Sequence, residues 1–187
     1  MRHHLPNLIT LLRFPLTAIF LYGFAWQSTV EWRLIATGCF YLSALTDLLD
    51  GVLARRMGAI TRIGAFLDPL ADKTQVLAGF FALILRRDME WEGWKTVVVA
   101  AVLVIALREL VITIVRAYKA YHHRPIVTSF VAKAKTTTEL ITLIVAFAVL
   151  AAIDLFGWGH PFLIHLIGLG IIASAVLAVL SAVDYLK

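Results

Sequence analysis

The chain has 187 residues, 61% of them hydrophobic and only 16% charged, with a formal net charge of +5. A soluble domain carries about 25% charged residues, so this balance, with a mean hydropathy of +0.88, excludes an ordinary water-soluble fold. Nothing points to nucleic acid either, because no basic stripe is interleaved with aromatics.

Six apolar runs approach the ~20 residues that cross ~30 Å of hydrocarbon. They fall at about residues 8–26, 34–54, 66–85, 96–118, 137–156 and 162–185. Together they use nearly all of the sequence. The expected fold is therefore an all-α integral membrane protein of six transmembrane helices, a single membrane domain over residues 1–187. The opening MRHHLPNLIT has no small-residue cleavage pattern and leads into a long apolar run, so it reads as a retained first helix. Cys39 stands alone in the second run and reads as an inert buried thiol. In the sixth run Gly168, Gly170, Ala173 and Ser174 offer small residues for close helix packing.

Charge sets the orientation. The turns after runs one, three and five hold four basic residues, Arg33, Arg86, Arg87 and Lys95, against five acidic ones, Glu31, Asp88, Glu90, Glu92 and Asp154. The other side holds thirteen basic and seven acidic residues, so the two sides carry −1 and +6 of the total +5. The positive side is expected in the cytoplasm, with both termini, and the protein in the cytoplasmic (inner) membrane. Trp26, Trp32, Trp91, Trp94 and Trp158 fall near the outer ends, as an interfacial aromatic belt would. Cytoplasmic Lys and Arg beside anionic membrane lipids account for the basic balance.

The informative stretch is TDLLDGVLARRMGAITRIGAFLDPLADK, residues 46–73. Asp47 and Asp50 are spaced i, i+3 near the end of the second run; Asp68 and Asp72 are spaced i, i+4 at the start of the third. Each pair shares one helix face, and the short connection, turning at Gly58 and Gly64, brings the four carboxylates to one depth. Left uncompensated, such a cluster is prohibitively costly in or near a membrane. All-oxygen ligands suit hard divalent cations such as Mg²⁺, Mn²⁺ or Ca²⁺. Four carboxylates can hold two of them ~3.5–4 Å apart, the arrangement that clamps attacking and leaving oxygens in phosphoryl displacement. Gly51 and Ala54 permit close approach of a ligand to backbone, and Arg55 can fork onto phosphate oxygens. The plainer alternatives are a proton relay, an ion site or helix-end salt bridges.

The pattern D-x-x-D-G-x-x-A-R-x8-G-x-x-x-D-x-x-x-D is met by Asp47, Asp50, Gly51, Ala54, Arg55, Gly64, Asp68 and Asp72. It resembles the signature of the CDP-alcohol phosphatidyltransferase family, and the six runs, cytoplasmic termini and opening PNLITLLR extend the resemblance over most of the chain. The resemblance implies that an acceptor hydroxyl attacks the β-phosphorus of a CDP-linked lipid and releases CMP. It implies two Mg²⁺ (or Mn²⁺) ions, one held by Asp47, Asp50 and Asp68 and the other by Asp47, Asp68 and Asp72, with Asp72 also the general base. Gly51, Ala54, Arg55 and Gly64 are implied to meet the CDP moiety, with Thr61, Asn7, Thr10 and Arg13 completing the nucleotide pocket. Asn7 has a plainer reading as a helix cap after Pro6, and Arg13 as a snorkelling interfacial cation. The family also implies a homodimer.

A second stretch, RELVITIVRAYKAYHHRPIVTSFVAKAKTTTEL, covers residues 108–140. Arg108 and Arg116 lie in the cytoplasmic half of run four, where arginines are disfavoured unless paired or functional. With Lys133 and Lys135 they could form an anion pocket for an acceptor bearing its own phosphate; the plainer reading of the lysines is contact with lipid headgroups. The stretch resembles the phosphatidylglycerophosphate synthase branch of the family in Arg108, Glu109, Arg116, Ser129, Lys133, Lys135 and Thr136, with Leu107 and Ala132 as departures. The implied acceptor is sn-glycerol 3-phosphate and the implied donor CDP-diacylglycerol. The cardiolipin synthases of the same superfamily share LDPLADK, which makes phosphatidylglycerol the alternative acceptor. From another class, a divalent-cation transporter would use the carboxylates for translocation, and it requires polar residues continuing toward the outer face. His3, His4, His122 and His123 receive no chemical role.

Overall fold

The computed structural model describes residues 5–57, 62–86, 88–89, 91, 93–122, 130–157 and 161–186, without the side chains of 5–7, 48–57, 62–66, 120 and 184–186. Among these residues lie six helices: α1 (Leu5–Ala25), α2 (Val30–Met57), α3 (Arg62–Leu85), α4 (Lys95–Tyr121), α5 (Phe130–Phe156) and α6 (Pro161–Leu186). No strand occurs among the described residues. This is an all-α membrane protein. By length and composition four helices contain a membrane-crossing stretch, Leu8–Ala25, Lys95–Lys119, Phe130–Phe156 and Pro161–Val183, among the residues described.

Helix ends follow local rules. Pro161 opens α6, where a missing N–H costs nothing. Gly157 closes α5 at φ +67°, and its N–H bonds the Ile153 carbonyl at 2.9 Å, a left-handed cap that glycine adopts without strain. Glu31 in the first turn of α2 meets the positive end of that helix. α5 begins at Phe130 rather than near residue 137, because Lys133 and Lys135, at which the apolar run stops, are helical as well.

The chain groups into two compact units, residues 1–88 with 150–158, and residues 89–149 with 159–187. In the first unit α1 packs along both α2 and α3, while α2 and α3 touch each other little among the described residues. Its core is aromatic: Phe20, Phe24, Phe40, Phe80 and Leu83 are all buried, with the Phe20 ring 5.1 Å from that of Phe40. One end is fastened by ions. Arg33 Nη1 reaches Asp88 at 2.6 Å and Asp154 at 2.9 Å; Arg86 reaches Asp88 through Nε at 2.9 Å and Asp154 through Nη2 at 2.7 Å. The Arg86 guanidinium also lies 5.1 Å from the centre of the Phe24 ring, a cation–π contact. Burial pushes the Asp88 carboxyl up, but hydrogen bonds from Arg86 and the charges of Arg86 and Arg33 outweigh it, leaving its pKa below the ordinary value.

In the second unit α4 packs along α6, burying Val98, Val102 and Ile105 of α4 and Ile171, Ala175 and Ala178 of α6. Gly170 permits a close approach to α5: a Cβ there would stand 2.9 Å from Thr142 Cγ2. Leu103, Leu107, Leu110 and Ile114 form an exposed stripe on α4, at helical spacing. Such a face suits hydrocarbon rather than water.

Candidate active site

The first unit gathers Asp47, Asp68 and Asp72 around α1. Spacings of three and four residues put Thr10 and Arg13 on one face of α1, Ser43 and Asp47 on one face of α2, and Asp68, Asp72 and Gln75 on one face of α3. Thr10 Oγ1 donates to Asp68 Oδ1 at 2.8 Å. Arg13 bridges the two other helices: Nη1 meets Asp47 Oδ1 and Nη2 meets Asp72 Oδ1, each at 2.7 Å. Its Nη2 also donates to Gln75 Oε1 at 3.0 Å. The same Gln75 oxygen accepts from Ser43 Oγ at 3.0 Å, and its Nε2 donates to the Phe40 carbonyl at 3.2 Å. Arg13 is only 2% exposed, whereas the Asp47 and Asp72 side chains are 39% and 52% exposed. The inner side of the cluster is thus sealed and its carboxylate side is open.

Buried arginine in an apolar chain persists where it is paired and hydrogen-bonded, and here both conditions hold. Arg13 does not snorkel; its guanidinium points inward to carboxylates. Because α1 runs along both α2 and α3, the aspartates meet across this guanidinium rather than by direct pairing of the two helices.

The fit to hard cations rests on the donor set. Asp47 and Asp72 already converge on one positive group, and Asp68 joins them from the same face of α3. Among the described residues, no three carboxylate, histidine or cysteine side chains stand close enough to enclose a metal with their present partners. Asp50, Ala54, Arg55 and Asn7 have side chains outside the description; Gly51 lies within α2 and Gly64 within α3, and Thr61 falls outside the described residues. Asp47, Asp68 and Asp72 are the members of the aspartate pattern whose side chains are described.

The second unit contains a separate buried network. Glu109 Oε1 accepts from Arg108 Nη1 at 2.6 Å and from Lys135 Nζ, and Lys135 Nζ also meets Glu139 Oε2 at 2.8 Å. Arg108 Nη2 donates to Ser181 Oγ at 2.8 Å, tying α4 to α6. All four charged side chains are under 10% exposed. Arg108 and Lys135 therefore come together, but around two carboxylates. Lys133 is exposed and Arg116 half-buried.

Sequence reasoning did not anticipate Ser43 and Gln75 as supports for Arg13, or Glu139 and Ser181 as partners in the second network. Glu139 had a signal, its i, i+4 spacing from Lys135. Gln75 had only its i, i+3 spacing from Asp72, since its meeting with Arg13 joins residues 62 apart in the chain.

An all-α membrane chain with a cluster of oxygen donors at one end of three helices defines a class: an intramembrane enzyme or ion-handling protein. The family is narrower. Residues 3–183 match the family model described as CDP-alcohol phosphatidyltransferase, and the chain belongs to that family. It is 33% identical over 190 residues to the "Probable phosphatidylglycerophosphate synthase" of Mycobacterium tuberculosis, covering 97% of this chain and 79% of that one. It is 33% identical over 183 residues to the CDP-diacylglycerol–glycerol-3-phosphate 3-phosphatidyltransferase of Pectobacterium atrosepticum, covering 97% and 90%. The Escherichia coli protein of the same name is 34% identical over 146 residues, 76% of each chain.

Proposed function

We propose that this protein transfers the phosphatidyl group from CDP-diacylglycerol to sn-glycerol 3-phosphate, giving phosphatidylglycerophosphate and CMP. The observation that carries the proposal is the convergence of Asp47 and Asp72 on one cation, with Asp68 beside them, in a chain similar to transferases so named. Asp47, Asp50, Asp68 and Asp72 would hold two Mg²⁺ or Mn²⁺ ions. Bound there, the ions would supply charge neutralisation of the diphosphate and a better leaving group.

The protein's own groups do the rest. The acceptor hydroxyl oxygen bonds to the β-phosphorus, the bond from that phosphorus to the bridging oxygen breaks, and CMP departs with the bonding pair. Asp72, half-exposed at the open side of the cluster, takes the hydroxyl proton. Asn7, Thr10, Arg13, Gly51, Ala54, Arg55, Thr61 and Gly64 bind the CDP-lipid. Arg108, Arg116, Lys133 and Lys135 bind the acceptor phosphate, which competes with Glu109 and Glu139 for Arg108 and Lys135. The chain crosses the inner membrane six times with both termini and the site toward the cytoplasm, and it works as a homodimer.

A transport function lacks its conduit. Among the described residues the core of the first unit beyond Ser43 and Gln75 is mostly Phe20, Phe24, Phe40 and Phe80, with Thr17 and Thr37 as sparse buried polar residues. The direct test is CMP release by purified protein given CDP-diacylglycerol, labelled glycerol 3-phosphate and Mg²⁺. Labelled phosphatidylglycerophosphate is the expected product. Product formed only from phosphatidylglycerol would replace the acceptor, and no CMP with any lipid-pathway alcohol would overturn the proposal.

A further inference from the structure

Every described carboxylate of the candidate site is held by a side chain of α1. Thr10 holds Asp68 at 2.8 Å, and the two terminal nitrogens of Arg13 hold Asp47 and Asp72 at 2.7 Å each. An arginine serving lipid headgroups extends toward water; this one is turned inward and 2% exposed.

Its orientation is built in from behind. Gln75 is 3% exposed and Ser43 fully buried. The Gln75 amide is fixed at both atoms, its oxygen by Ser43 and Arg13 and its nitrogen by the Phe40 carbonyl. A fixed acceptor therefore faces Nη2 on the side away from solvent. The guanidinium is pinned by one amide and aimed at two carboxylates on two different helices. A lysine could not make that fork, because its ammonium is a point charge on a flexible stem.

We infer that Arg13 is a resident counter-cation that competes with the divalent metal for Asp47 and Asp72, with Gln75 and Ser43 as its mount. The inference rests on the metal-dependent reading given above. A carboxylate lone pair engaged by an N–H is withdrawn from a metal, and a fixed positive charge beside the site repels a second cation. In the metal-free protein the same contacts relieve the repulsion between Asp47 and Asp72 and hold α2 and α3 to α1. Arg13 thus stabilises the metal-free fold and lowers metal affinity, two effects of one set of contacts.

The test is Mn²⁺ binding to the purified full chain in detergent, read from the electron paramagnetic resonance signal of free Mn²⁺. Arg13→Gln is expected to bind Mn²⁺ more tightly than wild type, within the ~5–150-fold range of a coupling between two ligands of one site. Its thermal unfolding without metal falls, and its gain on Mn²⁺ saturation exceeds that of wild type. Arg13→Lys keeps the charge without the fork, and its affinity falls between the two; it carries the test alone if Arg13→Gln does not fold. Equal or weaker Mn²⁺ binding by the folded variants overturns the inference. Asp47→Asn separates the two failures. If wild type binds saturably and Asp47→Asn does not, while the Arg13 variants fail to tighten, only the competition is wrong. If no protein binds Mn²⁺ saturably, the metal reading falls with it.

Discussion

Asp154→Ala tests whether the ion network at one end of the first unit is structural. The Asp154 side chain is 6% exposed and accepts from Arg33 at 2.9 Å and Arg86 at 2.7 Å. Arg86 is itself 5% exposed, and its Nη1 is already buried without a hydrogen-bond partner. Removing one member of a buried pair costs ~3–5 kcal/mol, largely from the charge left behind. Asp88 still holds Arg86 and Arg33, so the expected loss is at the lower end, ~3 kcal/mol. At ~2–4 °C per kcal/mol for a chain of this length, the unfolding midpoint should fall by roughly 6–12 °C. The assay is thermal unfolding in detergent followed by tryptophan fluorescence. Asp154→Asn, which keeps one acceptor and the volume, should lose less. Adding Arg86→Met to Asp154→Ala should recover part of the loss, because the orphaned charge goes with it. A shift under about 2 °C for Asp154→Ala, or a double variant as unstable as the two single losses summed, refutes the reasoning.

Three other outcomes follow. Asp88, whose folded pKa is depressed, contributes stability that is present above its unfolded pKa and lost as pH falls through the folded value, below about pH 4; Asp88→Asn should flatten that acid limb in unfolding midpoints measured across pH. Asp72→Asn should lower turnover by at least ~100-fold, the small end of general-base catalysis, while CDP-lipid binding persists; near-normal CMP release would exclude Asp72 as the base. Gly170→Ala should cost ~1–3 kcal/mol in thermal unfolding by overpacking against Thr142, and Thr142→Ser, which deletes the clashing methyl, should restore most of it.

Local spacing carried most of what the sequence revealed. The six apolar runs correspond to six helices, and the aspartate faces follow from residues three and four apart on single helices. What stayed hidden depends on which helices meet. The contacts of Thr10 and Arg13 with Asp68, Asp47 and Asp72 arise because α1 runs along α2 and α3, which spacing within one helix does not reveal. Helix starts were misjudged for a related reason. Hydropathy treats Lys133 and Lys135 as the end of an apolar run, whereas Lys135 is buried against Glu109 and Glu139, and paired charges cost far less than isolated ones.

The three ionic clusters differ in how the described pairs balance. Arg33 and Arg86 meet Asp88 and Asp154, two charges against two; Arg108 and Lys135 meet Glu109 and Glu139 in the same proportion. Around Arg13 the described pairs set three carboxylates, Asp47, Asp68 and Asp72, against one guanidinium and one hydroxyl. Two of those carboxylates also keep a large exposed fraction, so they are placed to gain a partner from outside the chain. Clusters matched in charge fasten helices. The cluster around Arg13 is the one whose residues supply the family's aspartate signature, and the proposed divalent cations and anionic substrate are assigned to it.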